Sequence, residues 1–197
     1  MLVVGASHSG TDIAFEVAPS HPTVLAGRDP GQVPVRLDHW SMRVFFPMHV
    51  LLGKHLLTRR TPIGRKKMPE VRFHGGPMIR VKREHLAARG VERVLARVTG
   101  VRNGRPVLED RELDVATVIW CTGFRQVFNW IDLPIFGTDG WPVEMRGVVA
   151  EAPGLFFCGL AFQYAFSSMV LAGVGRDADY IANMVSRRAA RAPALTR

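Results

Sequence analysis

The stretch VVGASHSGTDIA, residues 3–14, decides the reading of this chain. Val3 and Val4 close a short apolar run, LVVGA (2–6), of the kind that forms a buried strand. SGTDIAFEVA (9–18) follows with Ile13, Ala14 and Val17 on one helical face. Pro19 and Pro22 end that helix, and TVLAG (23–27) reads as a second strand. Strand, glycine turn, helix and strand make a β-α-β unit of a parallel sheet. Gly5 permits the tight turn, and Gly10 lets the helix pack closely on the strand. The position between them approaches a pyrophosphate most closely, and Ser7 stands there in place of glycine. Its side chain costs space at a tight place, while its hydroxyl is able to bond a phosphate. His8 and Ser9 complete the turn at a helix N-terminus whose free N–H groups suit an anion.

Working outward, Arg28 ends the second strand, 18 residues after Gly10, where a residue meets the adenosine ribose. Arginine there suits a 2′-phosphate, hence NADPH; the adjacent Asp29 suits the free hydroxyl of NADH. The arginine is expected to prevail. The alternative is a Rossmann-like sheet that binds nothing.

Residues 30–68 interrupt the α/β pattern. DHWSMRVFFPMHVLLGKHLLTRR has helical apolar spacing broken by Pro47 and Gly53, and TPIGRKKM reads as a basic loop. The expectation is a helical insertion, as a hairpin or two broken helices. Beyond it, PMIRV reads as a strand, REHLAARG as a short helix, and RVLARVTGVRNGRPVLED as a hairpin turning at Asn103-Gly104. VATVIWCTG reads as a buried strand ending in glycine, and GLFFCGLAF as another apolar strand. Between them lies an aromatic loop, and a final helix is expected over about 176–190.

Three stretches in this order resemble the FAD- and NADPH-dependent flavoprotein monooxygenases and their relatives. VVGASHSGTDIA with VLAGRD resembles their NADPH motif. VIWCTGFR (118–125) resembles their strand-ending ATG-type motif, with Cys121 in the alanine position. PGLFFCGLAFQYAFSSMVLAGVGRDADYIA resembles the segment that returns to close the FAD domain. The resemblance covers nearly the whole chain. It implies an α/β protein in which residues 1–121 form a Rossmann-like NADPH domain carrying the insertion 30–68. Residues 122–190 then form the C-terminal segment of an incomplete FAD domain, followed by a disordered tail, 191–197. It also implies that NADPH reduces FAD, which activates oxygen toward a small substrate, a soft nucleophile or a carbonyl. The protein supplies orientation and electrostatics to that chemistry. By position, Gly5, Ser7, His8, Ser9, Gly10 and Arg28 would hold NADPH. Thr122, Gly123 and Phe124, with Cys121, would lie at the crossing of the domains, and Gly159, Leu160 and Gln163 to Ser168 near the flavin.

The family's first glycine motif, for FAD, has no counterpart here, since a single loop of this kind follows a strand and it opens the chain. The expectation is therefore a truncated, split or mis-started protein that takes FAD only with a missing half or a partner chain, and no catalytic residue is assigned. Leu155, Phe156, Phe157, Leu160, Phe162, Phe166, Met169, Val170 and Leu171 would then form an exposed patch favouring self-association. The competing readings are a non-enzymatic remnant and a stand-alone nicotinamide dehydrogenase. The short-chain type of dehydrogenase needs a lysine four residues after a tyrosine, but Ser168 follows Tyr164 and Met184 follows Tyr180 at that spacing.

The remaining features set limits. Net charge is +9, from 26 Lys and Arg against 17 Asp and Glu, without the aromatic interleaving of a nucleic-acid module. No apolar run reaches the ~20 residues of a membrane span. A basic helix at 39–67 lying on a membrane is weighed against a cap over a substrate channel, which fits the resemblance better. The seven histidines show no metal spacing, and no GxSxG surrounds Ser167-Ser168. Cys121 and Cys158 form no CxxC pair and are expected to be reduced and buried, which favours the cytoplasm.

Overall fold

The structure is a computed structural model that describes residues 1–37, 39–109 and 111–191. Its elements run β1 (Leu2–Val4), α1 (His8–Val17), β2 (Val24–Ala26), α2 (Met42–His55), α3 (Pro62–Phe73), α4 (Arg83–Ala88), β3 (Glu92–Val94), β4 (Val98–Arg102), β5 (Arg105–Leu108), β6 (Arg111–Glu112), β7 (Val118–Trp120), a 3-10 turn (Phe166–Met169) and α5 (Leu171–Ala189). The fold is α/β, as the sequence predicts. The chain divides into two compact units, Met1–Met42 with Gly75–Phe124, and Arg43–His74 with the residues from Arg125 onward.

The first unit is built on a parallel sheet in the order β3-β2-β1-β7. Its central strand is apolar throughout because both of its faces are covered. Val3 points into a cluster with Ala14, Leu25, Met78 and Leu86. Leu2 and Val4 point the other way, to Ala26, Leu108 and Leu113. β4, β5 and β6 form a small antiparallel sheet. Asn103 and Gly104 join β4 to β5 with φ of 52° and 75°, the left-handed pair that a tight hairpin requires.

Several local expectations change. PMIRV forms no strand: Met78 makes a single bridge to Gln32, and both Met78 and Val81 are buried. β7 lies at the sheet edge, so its Trp120 is 63% exposed and the strand is not the buried one predicted. The hairpin begins at Val98, because Arg93 and Val94 belong to the parallel sheet.

In the second unit TPIGRKKM is helix, not loop. Thr61 caps α3 by accepting the Gly64 N–H at 3.1 Å, and Pro62 opens it, where a missing N–H costs nothing. α2 runs on through Pro47, and its Gly53 is buried. The insertion, expected over 30–68 within the NADPH domain, is thus two helices that pack with the C-terminal segment. GLFFCGLAF forms no strand. Phe157 and Leu160 join Ile135, Trp141 and Val149 in the core, and Cys158 is exposed rather than buried. Cys121 is half-buried, and burial pushes its thiol above the usual range.

The expected apolar patch is also different. Phe157 and Leu160 are buried in the core of their own unit, Phe162 is fully buried, and the exposed members are Met169, Val170 and Leu171 around the start of α5. More apolar surface lies open on α2, at Val44, Phe46, Met48, Leu51 and Leu52. The helix α5 begins five residues before the expected 176. Residues 192–197, where a disordered tail is expected, lie outside the described residues.

Candidate dinucleotide site

β1 sits where the strand order reverses. The chain passes from it to β2 and β3 on one side, and returns to β7 on the other. In a parallel sheet of this kind, the carboxyl ends of the strands flanking that reversal open the crevice in which ligands bind. The turn after β1 and the Cys121-Thr122-Gly123 segment after β7 border it.

The turn is shaped by close approaches of backbone. Gly5 has φ of 109°, and a Cβ there would lie 2.1 Å from the Cys121 carbonyl oxygen. A Cβ on Gly10 would lie 1.6 Å from the Gly5 carbonyl oxygen. Gly27, at the end of β2, has φ of 153°, and its Cβ would meet the Ala6 nitrogen at 2.8 Å. The Gly5 N–H donates to Ala26 and the Cys121 N–H to Val4, each at 2.7 Å, so the turn is braced by both neighbouring strands. Thr11, fully buried, donates its hydroxyl to the Ser7 and His8 carbonyls at 3.1 and 2.9 Å. His8 and Ser9 stand exposed at the start of α1. The first N–H groups of a helix have no partner within it, so this end offers donors to an anion.

Ser7 has a partner of its own. Its hydroxyl donates to the Gly76 carbonyl at 2.6 Å. A Cβ on Gly75 would lie 2.8 Å from Ser7 Oγ, and one on Gly76 would lie 3.0 Å from the His8 ring. Two glycines thus make room for the side chain that replaces the middle glycine. Sequence reading missed this, although HGGP (74–77) carries the signal of adjacent glycines before proline.

At the end of β2, Arg28 is exposed, whereas Asp29 is held. Asp29 accepts from the Gly31 N–H at 3.0 Å and from Arg83 Nη2 at 2.6 Å, and Arg93 Nη2 stands 3.8 Å away. Slight burial raises its pKa, but the Gly31 N–H, the Arg83 hydrogen bond and the two guanidinium charges prevail and hold it below the usual value of 3.8. Arg93 Nη2 is itself buried without a hydrogen-bond partner. Three arginines against one aspartate leave this corner positive. Arg83 and Arg93 carry no signal in the sequence, because α4 and β3 reach Asp29 only through the fold.

Gly5, Ser7, His8, Ser9, Gly10, Arg28, Thr122, Gly123 and Phe124 all belong to the first unit. Gly123 has φ of 86° with open space where a Cβ would be, and Phe124 is fully exposed. Gly159 and Leu160 belong to the second unit. Gly159 also has φ of 86° and open space around it, while Leu160 is buried and its N–H donates to Gln163 at 3.3 Å. Among the described residues no group of three His, Cys, Asp or Glu is placed to hold a metal, and no helix is long and apolar enough to cross a membrane.

No family model matches the chain. It is 30% identical over 186 residues to an uncharacterized CzcO-like oxidoreductase of Geobacillus kaustophilus, covering 93% of this chain and 51% of that protein. It is 31% identical over 189 residues to the uncharacterized oxidoreductase CzcO of Bacillus velezensis, covering 94% and 52%. The chain spans about half the length of these curated relatives. Its fold matches the crystal structure of L-lysine 6-monooxygenase from Pseudomonas syringae with a TM-score of 0.58 at 18% identity, over 94% of this chain and 53% of that one. The relatives carry the name oxidoreductase, and the solved structure shares the α/β fold expected from the three motifs.

Proposed function

We propose that this chain is the NADPH-binding part of an oxidoreductase of the flavin-dependent monooxygenase kind. The observation that carries the reading is the turn after β1. Gly5, Gly10 and Gly27 leave no room for side chains, and a helix N-terminus opens beside them at the reversal of the sheet. Backbone approach of that closeness suits a pyrophosphate, and the bound nicotinamide would supply a hydride. His8 and Ser9 lie at the helix start, and Ser7 fixes the Gly75-Gly76 segment in place of bonding phosphate itself. Arg28 would take the 2′-phosphate. The aspartate that would otherwise favour NADH is neutralised by Arg83 and Arg93, so the corner prefers the extra phosphate.

FAD in this reading is held chiefly by polypeptide outside the 197 residues. Thr122 to Phe124 would contribute to its surroundings. The substrate is a small molecule, and oxygenation and hydride transfer belong to the assembled protein. The relatives' name of oxidoreductase, across nearly the whole chain, supports this class of chemistry.

The test is oxidation of NADPH by the purified chain, with and without FAD, together with a direct binding titration. Saturable NADPH binding and a colourless preparation with no turnover are expected. Turnover of an organic substrate with nicotinamide alone would instead establish a stand-alone dehydrogenase. Absence of any dinucleotide binding would establish a remnant that keeps the fold only.

A further inference from the structure

The charge of the molecule is unevenly placed. The second unit holds 15 lysines and arginines against 7 aspartates and glutamates, so it carries +8 of the total +9. Much of this charge gathers around one cavity of about 640 Å³, whose lining includes Arg59, Arg60, Arg65, Arg146, Tyr164 and Tyr180 and no acidic residue.

One of these arginines is already neutralised. Arg59 donates to the fully buried Glu144 carboxylate at 2.5 Å and to the Glu144 and Gln163 carbonyls at 3.0 and 3.1 Å. Arg72 stands 3.5 Å from the same carboxylate. Its pKa is lowered to about 10, first by burial and then by the Arg59 charge, as a positive surrounding requires. Glu144 is therefore fully spent on two cations. Arg60, Arg65 and Arg146 make no ion pair with a described residue.

Arg146 is the telling member. Its backbone is left-handed, with φ of 54°. Its guanidinium lies over the Tyr180 ring at 3.9 Å and the Tyr164 ring at 4.5 Å. Its Nε is buried without a hydrogen-bond partner. The rings orient the cation without satisfying its N–H groups, and a buried donor left unmade is costly. Arg60 and Arg176 also face Tyr164, at 5.9 and 4.5 Å, and Arg176 is the one with a carboxylate partner, Asp177. Like charges held around a hollow repel one another. An anion in the hollow would offset that repulsion.

We propose that this cavity is a binding site for a small phosphate-bearing ligand. Arg60, Arg65 and Arg146 are its anion-binding residues, and Tyr164 and Tyr180 position Arg146. Several planar guanidinium forks suit a tetrahedral oxyanion with several acceptor oxygens. The volume fits a small molecule and not a polymer. This site is distinct from the glycine turn, which belongs to the other unit.

The test is calorimetric titration of the full chain with inorganic pyrophosphate and inorganic phosphate at constant ionic strength. Saturable binding is expected, tighter for pyrophosphate. R60Q and R65Q should each weaken it about tenfold, the loss of one hydrogen bond to a charged group. Both arginines are exposed at the cavity rim, so the fold should survive, which circular dichroism checks. R97Q, an exposed change in the first unit, should leave pyrophosphate binding unchanged. Heats that never saturate, or affinity unchanged in both R60Q and R65Q, would overturn the proposal.

Discussion

The two units reach definite geometry by different means. The first is set by backbone: Gly5, Gly10 and Gly27 let strand, turn and helix approach so closely that a Cβ would fall 1.6–2.8 Å from main-chain atoms. The second is set by side chains from distant parts of the sequence. Glu144, buried and bridged to Arg59 and Arg72, ties the turn before Gly147 to the connection between α2 and α3 and to the last turn of α3, and Arg72 also lies 4.3 Å over Trp141. The Glu144 carboxylate additionally accepts the Gly147 N–H at 2.7 Å. The first arrangement leaves donors free at a helix end, and the second leaves arginines free around a hollow. Both favour anions, by backbone dipoles in one unit and by guanidinium charge in the other.

The strongest way to break this comparison is Gly10→Ala. Its Cβ would overlap the Gly5 carbonyl, and no side-chain rotation relieves a clash with main chain. We expect a loss of more than about 4 kcal/mol, enough to unfold the first unit, seen as hydrogen exchange collapsing across β1, β2 and β7. Gly10→Ala with native protection would mean that the turn is not set by backbone contact.

The counterpart in the second unit is Glu144→Gln. It keeps the shape and removes the charge, leaving Arg59 and Arg72 without a counter-ion. A cost of about 3 kcal/mol is expected in denaturant melts, in the range for breaking a buried pair. A neutral result would mean that packing on Trp141, and not the carboxylate, holds these arginines.

A smaller effect sharpens the account of Ser7. Gly75→Ala places a methyl 2.8 Å from Ser7 Oγ and should cost about 1–2 kcal/mol. In the double variant with Ser7→Gly that clash disappears, so the two changes should be non-additive by at least ~0.5 kcal/mol in a double-mutant cycle. Strict additivity would show that Ser7 and the 75–76 segment are independent.

This contrast also explains what could be read from the sequence. The β-α-β opening is legible because its constraints are local: glycines at fixed spacing, apolar residues at helical period, prolines at the helix end. The Asn103-Gly104 hairpin is legible for the same reason. The start of α3 carried a local signal too, Thr61 before Pro62, which the basic run after it masked. The role of Asp29 was not legible, since its partners Arg83 and Arg93 are 54 and 64 residues away in the chain. Nor was the burial of Phe157, Leu160 and Phe162, because an apolar run does not say which surface covers it. Trp120 failed the other way, as an apolar residue whose strand lies at the sheet edge.

The central claim is that the turn after β1 holds NADPH, with Arg28 on its 2′-phosphate. It is tested most directly by parallel titrations of NADPH and NADH against the native chain and Arg28→Ala. NADPH should bind more tightly to the native chain. Arg28→Ala should cost NADPH about 1.5–3 kcal/mol, the range for a hydrogen bond to a charged group, and leave NADH nearly unchanged. Equal losses for both coenzymes, or no dinucleotide binding by the native chain, would contradict the account.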